Sequence, residues 1–460
     1  MRPITEEAYQ LMHDSGLVLA QMERNGVHVD IDYCHKAIRH LDRRVARMQK
    51  QILDSELGEV GRKAFGFKLN INSDKQLSHI LYDVMGLATS FKTKKGNDSV
   101  KAEALAELDI PGLDLLIRSK QLVKAKNTYL QNFIDESVDN YMHPFFHLHL
   151  VRTFRSSSSE PNIQNIPNRD PEIKELCRRA IIARPGRKIA ALDFSGIEVK
   201  IGTAYHKDPT MMKYNSDPST DLHRDMAQEI YLFTPEEWGY IQETDPKIAK
   251  AIRHSSKNQF VFPSFYGDWF KSCAPNLWKS AQKETHILPN GLSLIQWLQS
   301  CGIDNYEQFE THIELIFESF WDERFPIYTK WKEDWWAAYQ EKGFFDTLTG
   351  FRCQGVMGKN DAINYPVQGT AFHCTLYSLI ETQKVIEKNN LDTLIIGQIH
   401  DEIILDLVPK EQDFLLKQCK IIMTEKIRKN WRWINVPIDV ELEITPIDGS
   451  WADKQELEIV

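Results

Sequence analysis

The stretch LIIGQIHDEIILDLVP (394–409) restricts the fold more than any other part of the chain. Two apolar, β-rich arms, Leu394–Ile399 and Ile403–Val408, flank the polar centre His400-Asp401-Glu402. That pattern is a β-hairpin that presents two carboxylates at its turn. A second apolar run, Ile189–Leu192, leads into Asp193, and a helical pattern begins after Ser195. An isolated Asp at such a junction reads as a helix cap more readily than as a cation ligand. The hairpin changes that balance. Two strand-end carboxylates from distant parts of the chain, Asp193 and Asp401 with Glu402 beside them, can together hold a pair of Mg²⁺ ions. Such a pair clamps the attacking and leaving oxygens of an in-line phosphoryl displacement.

A second chemical site is AIRHSSKNQFVFPSFYGD (251–268). Arg253 and Lys257 are four apart and point from one helical face. They can hold the phosphates of a nucleotide, the arginine as a fork and the lysine as a point charge. Phe262, Phe265 and Tyr266 follow and can stack a base or pack on a sugar. An Arg-x-x-x-Lys pair alone is a solvated face in most helices.

The remaining chain places these sites in a multi-lobed protein. At 460 residues it is too long for one ordinary core, and 42% hydrophobic with 26% charged residues is a globular composition. The net charge of −9 does not by itself suggest a nucleic-acid partner, but phosphate binding needs only a local basic surface. Seven scattered cysteines without a C-x-x-C pair speak against a disulfide framework or a structural zinc site. No apolar run approaches a membrane span, and MRPITEEAYQ is too acidic for a signal peptide, so a cytoplasmic protein is expected. Residues 36–56 and 113–133 read as long helices with basic faces, joined through a polar tip that carries Lys92, Lys94 and Lys95. Phe145–Phe154 reads as a strand in which His147 and His149 face outward rather than bind a metal. The region from Pro209 to about Gly343 is helical and aromatic, with Trp331, Trp335 and Trp336 expected in its core.

Five motifs in order carry a family resemblance: RTFRSSSSEPNIQNIP (152–167), LDFSGIEVK (192–200), RHSSKNQFVFPSFYG (253–267), NYPVQGTA (364–371) and GQIHDEI (397–403). They resemble the motifs of family-A DNA polymerases, the bacterial DNA polymerase I group. Weaker matches at 17–30, 67–87, 347–352 and 448–451 extend the resemblance over nearly the whole chain. It implies an α+β fold shaped as a right hand, with an antiparallel-sheet palm and helical fingers and thumb. The expected division is a lead-in at 1–29 packing on the palm, a thumb at 30–150, palm at 151–208 and 344–460, and fingers at 209–343. The implied activity is template-directed DNA synthesis on primer-template DNA from dNTPs, with two Mg²⁺ ions that Mn²⁺ can replace. The resemblance makes Asp193, Asp401 and the Phe194 carbonyl metal ligands, and Glu402 a third catalytic carboxylate. It gives His223, Arg253 and Lys257 to the triphosphate, alongside Phe262. Glu198, helped by Tyr266, blocks the 2′ side of the sugar pocket. Arg155, Asn162, Gln164, Gln368 and His400 contact primer and template, and Asn70, Asn72, Ser73 and Lys126 contact the duplex backbone.

The departures from the family pattern are specific. Lys257 to Phe262 is five residues where the family has four, which rotates the aromatics by about 100° unless a π-bulge absorbs the extra residue. A bulge or kink between Gln259 and Pro263 is therefore expected. Gly196 replaces a common Gln and looks phage-like, and Asn360 replaces an Arg near the primer terminus. An apparent insertion at 273–305 has no assignable role. No exonuclease signature precedes the thumb, so editing falls to a separate exonuclease if one exists. The tail KQELEIV is expected to fray, a sliding-clamp (processivity-factor) peptide being the lesser reading. A monomer without membrane association is expected. The rival functions are a two-metal nuclease, a single-subunit RNA polymerase and an inactive primer-template scaffold. Arg253 with Lys257, Glu198 with Tyr266, and the intact Asp193 and Asp401 argue against each in turn.

Overall fold

A computed structural model of the chain describes residues 2–93, 95–108, 110–168 and 170–458. Lys94 and the last two residues of the tail lie outside them. The expected hairpin is the edge of a five-stranded antiparallel sheet formed by β1 (Lys188–Phe194), β2 (Leu394–Ile399), β3 (Glu402–Leu407), β4 (Val440–Ile444) and β5 (Gln455–Glu456). Their spatial order is β2-β3-β1-β4-β5. Leu192 stands opposite Ile403 on one side and Leu442 on the other. Asp193, one residue on, stands opposite Glu402 and Glu441. Cross-strand partners share a face, so the register sends one row into the core and gathers three carboxylates on the other side.

The long helix Lys359–Lys388 and the helix Glu6–Asn25 pack with the sheet, and all three contribute to one hydrophobic core. Asn25 donates its side-chain amide to the Ile395 carbonyl at 2.8 Å, and Arg2–Pro3 pair with Phe351 and Arg352. The first residues thus contact the strand Leu394–Ile399 and the strand Phe351–Gln354. Asp406, 1% exposed on β3, accepts from the Arg184 amide at 3.1 Å and from its guanidinium at 2.9 Å.

A second core is built from aromatic and aliphatic side chains between Met211 and Tyr328. Trp331 packs against it, whereas Trp335 and Trp336 pack against the sheet core. A third, small core between Ile52 and Leu116 lies at the far end of two long helices. The first of these, Ile31–Leu53, starts earlier than its hydrophobic period suggests because Asp30 caps it, accepting from the Tyr33 amide at 2.8 Å. The second runs through Leu113–Lys124, a π-helical turn at Ala125–Leu130, and Gln131–Asp135. Their near ends belong to the sheet core, so the pair forms a stalk carrying a separately packed tip.

Two expectations are corrected. Only Phe145–His147 of the supposed strand Phe145–Phe154 is extended, paired with Ser157–Ser159. The backbone bends from Leu148 to Leu150, and Phe154 takes a positive φ of 65°, which no strand would hold. His147 spends Nε2 on the Ser159 hydroxyl at 2.9 Å. The tail does not fray at its start. Gln455 and Glu456 pair with Ile444 and Glu443, and the Leu457 amide donates to the Leu442 carbonyl at 2.9 Å.

Candidate active site

The carboxylate row on the sheet is the candidate chemical centre. Asp193 lies between Glu402 and Glu441, and Asp401 occupies the hairpin turn beside His400, whose φ is 56°. Burial, then the charges of Asp401, Glu402 and Glu441, push the Asp193 carboxyl well above the usual range. Burial also raises Asp401. One Asp193 oxygen, Oδ1, is buried with no hydrogen-bond partner among the described residues. An orphaned buried oxygen in a crowded carboxylate row calls for a cation, and hard oxygen donors suit Mg²⁺. Among the described residues no three His, Cys, Asp or Glu side chains form a metal cage. This still fits a phosphoryl-transfer site, where one or two carboxylates hold the ion and substrate phosphates complete it. Phe194 follows Asp193 at the strand end, its side chain 2% exposed.

Sequence reasoning missed the cation already present. Lys454, on the tail, places Nζ 2.6 Å from Glu402 and 2.8 Å from Glu443, with its side chain 4% exposed. It also missed the brace under the hairpin. Gln398, fully buried in β2, accepts from the Ser156 hydroxyl at 2.7 Å and from the Gln164 amide at 2.8 Å. The available signal was a lone polar residue in the apolar run Leu394–Ile399, which must find partners when buried. Gln164, expected at the DNA, thus has its amide nitrogen committed to the protein. Asn162 is exposed and accepts from the Ser158 hydroxyl at 3.1 Å, and His400 is exposed at the rim of a groove shared with Gln164 and Lys124.

The helix Pro246–Ser256 starts on Asp245, which accepts from the Lys247 and Ile248 amides, both at 3.1 Å. It continues as a π-helical turn, Lys257–Val261, in which the Phe262 amide donates to the Lys257 carbonyl five residues back. Residues Phe262–Phe265 resume the α-helix. The wide turn absorbs the extra residue, as the spacing demanded. It starts two residues before Gln259 and ends before Pro263, whose missing N–H is harmless in the first helical turn. Lys257 Nζ lies 5.1 Å from the Phe262 ring centre, and that ring meets His223 edge-on at 5.6 Å.

His223 belongs to the helix Leu222–Tyr231, capped by Asp221. Burial, then the Arg253 and Lys257 cations, push its imidazole down to about 4. It is neutral at pH 7, and Nδ1 is buried without a partner among the described residues. The Tyr266 hydroxyl donates to Glu198 at 2.6 Å, and the Arg155 guanidinium pairs with the same carboxylate. Burial lowers Arg155, while Tyr266 and Asp401 pull it back up, so this cation faces the Asp401 carboxylate as well. Gln368 lines the adjoining cleft with Glu198, Phe262 and Tyr266.

At the distal tip Asn70, Asn72 and Ser73 form one turn. The Asn72 amide donates to Asn70 Oδ1 at 3.0 Å, and Ser73 caps the next short helix. Lys120 reaches Asp74 there at 2.7 Å. Lys126 is six residues further along, roughly 9 Å away by helical rise, and pairs with Asp42 at 2.6 Å. The structure therefore separates it from the other three.

The departures acquire physical reasons. Gly196 has φ 62°, a left-handed start to the helix Ile197–His206 that a side chain disfavours. Asn360 fills the space over Gly267, where a Cβ would lie 2.6 Å from it, so that position is packed against the Tyr266–Gly267 turn. The 273–305 segment forms the helices Phe270–Ala281 and Leu294–Ser300. Its Trp297 donates to the Tyr231 carbonyl at 2.9 Å and stacks on Phe233, so it buttresses the helix that carries His223.

Residues 31–260 and 314–453 match the family model for DNA polymerase family A, and the gap contains all of that buttress. DNA polymerase I of Pseudomonas aeruginosa is 28% identical over 442 residues, covering 92% of this chain and 42% of that protein. The thermostable DNA polymerase I of Thermus aquaticus is 27% identical over 445 residues, covering 93% of this chain and 46% of that protein. The chain thus spans less than half the length of these relatives. The POL domain of Pol1 from M. smegmatis, solved in complex with DNA primer-template and dNTP, superposes with a TM-score of 0.72 at 23% identity, covering 96% of this chain and 70% of that one. A carboxylate row on an antiparallel sheet, a π-helical turn in the helix that carries Arg253 and Lys257, and a family match over most of the length lead to one assignment: the chain belongs to DNA polymerase family A.

Proposed function

We propose that this chain is the polymerase module of a DNA-directed DNA polymerase, adding dNTPs to the 3′ end of a primer on a DNA template. One observation carries this reading. Glu198 is bridged by Tyr266 from the bulged helix and by Arg155 from the sheet module, which ties the nucleotide-binding helix to the carboxylate site. A nuclease has no use for that connection. The sheet module, 151–208 with 344–460, is the palm. Residues 209–343 are the fingers, 30–150 the thumb and 1–29 the lead-in. Primer-template DNA lies across the palm between the other two, and the enzyme works as a monomer in the cytoplasm of a bacterial or phage-infected cell. A separate exonuclease or processivity factor would be its partner.

Asp193 and Asp401, with the Phe194 carbonyl, hold two Mg²⁺ ions, which Mn²⁺ can replace. When bound, the ions supply Lewis-acid stabilisation to the attacking and leaving oxygens of the displacement. The protein's part is positioning. Arg253, Lys257 and neutral His223 bind the triphosphate, and Phe262 packs between the last two. Glu198 fills the 2′ side of the sugar pocket, so a ribonucleotide meets an occupied space. Glu402 stays paired with Lys454 and shapes the field at Asp193 without leaving the sheet. Arg155, Asn162, Gln164, Gln368 and His400 hold primer and template near the reacting end, while Asn70, Asn72, Ser73 and Lys126 grip the duplex backbone. These contacts position the duplex, and base pairing supplies the sequence information.

Primer extension tests this directly. A labelled primer-template with Mg²⁺ lengthens with dNTPs and hardly at all with rNTPs. Asp193→Ala or Asp401→Ala abolishes extension and retains duplex binding. Shortening of the primer, or no extension by the intact protein, overturns the reading.

A further inference from the structure

Asp221 has entered so far only as a helix cap, yet its carboxylate makes four hydrogen bonds to two elements. Oδ1 accepts from the backbone amides of His223 at 3.0 Å and Arg224 at 3.2 Å. The Arg253 guanidinium adds Nη2 to Oδ1 at 3.1 Å and Nε to Oδ2 at 2.6 Å, a two-point fork. One side chain thus fixes the start of the helix that carries His223 and the plane of the guanidinium 32 residues later. The Ser256 hydroxyl, donating to the His223 carbonyl at 2.6 Å, ties the same two elements together again.

A free arginine side chain carries about 2 kcal/mol of rotamer entropy, which a phosphate ligand would have to overcome on binding. Asp221 removes that cost in advance by occupying only the Nε side of the fork. The Arg253 side chain remains 40% exposed, with guanidinium hydrogens free of Asp221. Burial works against the Asp221 charge, but the Arg253 fork and the helix amides outweigh it and hold the carboxyl below the usual range. We propose that Asp221 is a positioning residue for the incoming nucleotide: it holds Arg253 and His223 in one fixed arrangement so that the triphosphate meets a preformed site. The inference rests on the reading of Arg253 and His223 as triphosphate ligands.

The bland alternative is a helix cap with an incidental surface ion pair. Asp221→Asn separates the two, because its side-chain carbonyl still caps the helix while the charged fork is lost. Single-turnover extension as a function of dATP concentration gives the apparent Kd and the maximal rate separately. Asp221→Asn is expected to raise the apparent Kd about tenfold, with a much smaller change in maximal rate. Combined with Arg253→Ala it should add nothing further, since it acts through that arginine. Three results would overturn the inference: an unchanged Kd in Asp221→Asn while Arg253→Ala raises it, multiplying effects in the double variant, or a loss confined to maximal rate and melting temperature. An unchanged Kd in Arg253→Ala would instead remove the triphosphate reading of that arginine, and this inference with it.

Discussion

Glu198 shows how little of a residue's task lies in its own chemistry. A carboxylate on the first turn of the helix Ile197–His206 would ordinarily be a favourable charge at a helix start. Here it is held by Tyr266 and Arg155, so its position depends on residues 68 and 43 places away. Truncating it should open the sugar pocket and release Tyr266. Glu198→Ala is expected to lower the preference for dNTP over rNTP by about 10–200-fold, the range that filling a pocket by a few atoms enforces. Ratios of kcat/KM on one primer-template measure this, and an unchanged ratio would remove Glu198 from the sugar gate. The residue scale is also where the sequence was most legible. Asp193, Asp401 and the Arg253–Lys257 pair could be picked out because strand-end carboxylates and a spaced cation pair occur together in one chain, within motifs that resemble a known family. Gln398 and Asp221 could not, because each works through partners more than thirty residues away in the chain.

Elements were legible where a periodic pattern spoke, and less so where a tertiary partner decided. The hairpin and the two stalk helices follow directly from their apolar periods. Phe145–Phe154 alternated like a strand and is extended over only three residues, since its strand partner among the described residues, Ser157–Ser159, is equally short. The π-helical turn at Lys257–Val261 was legible in a different way, as a spacing that a regular helix could not satisfy. If the turn stores one extra residue, deleting Asn258 should leave both flanks facing as before, and extension should persist. Inserting one alanine there should rotate Phe262 and Tyr266 by about 100° and abolish it. Extension assays with circular-dichroism melting, to separate misfolding from misplacement, check both arms. The sheet carries its own element-scale prediction. Asp406→Ala strips the buried partner from Arg184 and should cost about 3 kcal/mol in urea unfolding.

At the scale of the whole molecule, three cores under one chain imply that different regions answer to different stresses. Acid is one stress they share. His373 in the sheet core and His206 beside the aromatic core are both buried, and burial holds each imidazole down at about 3. Unfolding returns them to about 6.5, so the unfolded chain binds more protons in between, and stability rises with pH through that window. The contribution is full above about pH 6.5 and falls away toward pH 3. Each imidazole should cost about 1 kcal/mol at pH 5.5. The melting temperature should therefore drop between pH 7 and pH 5, and drop less steeply in His373→Gln. An equal slope in that variant would assign the acid sensitivity elsewhere.

The strand formed by Gln455 and Glu456 has a practical reach beyond its two residues. It threads Lys454 back beneath the hairpin, so the tail behaves as an internal counter-ion delivered by the chain itself. Removing residues 454–458 takes away the positive charge that separates Glu402 from Glu443 and leaves their oxygens to recruit a soluble cation. The trimmed protein should bind Mn²⁺ more tightly than the intact one in the absence of DNA, as electron paramagnetic resonance titration would register.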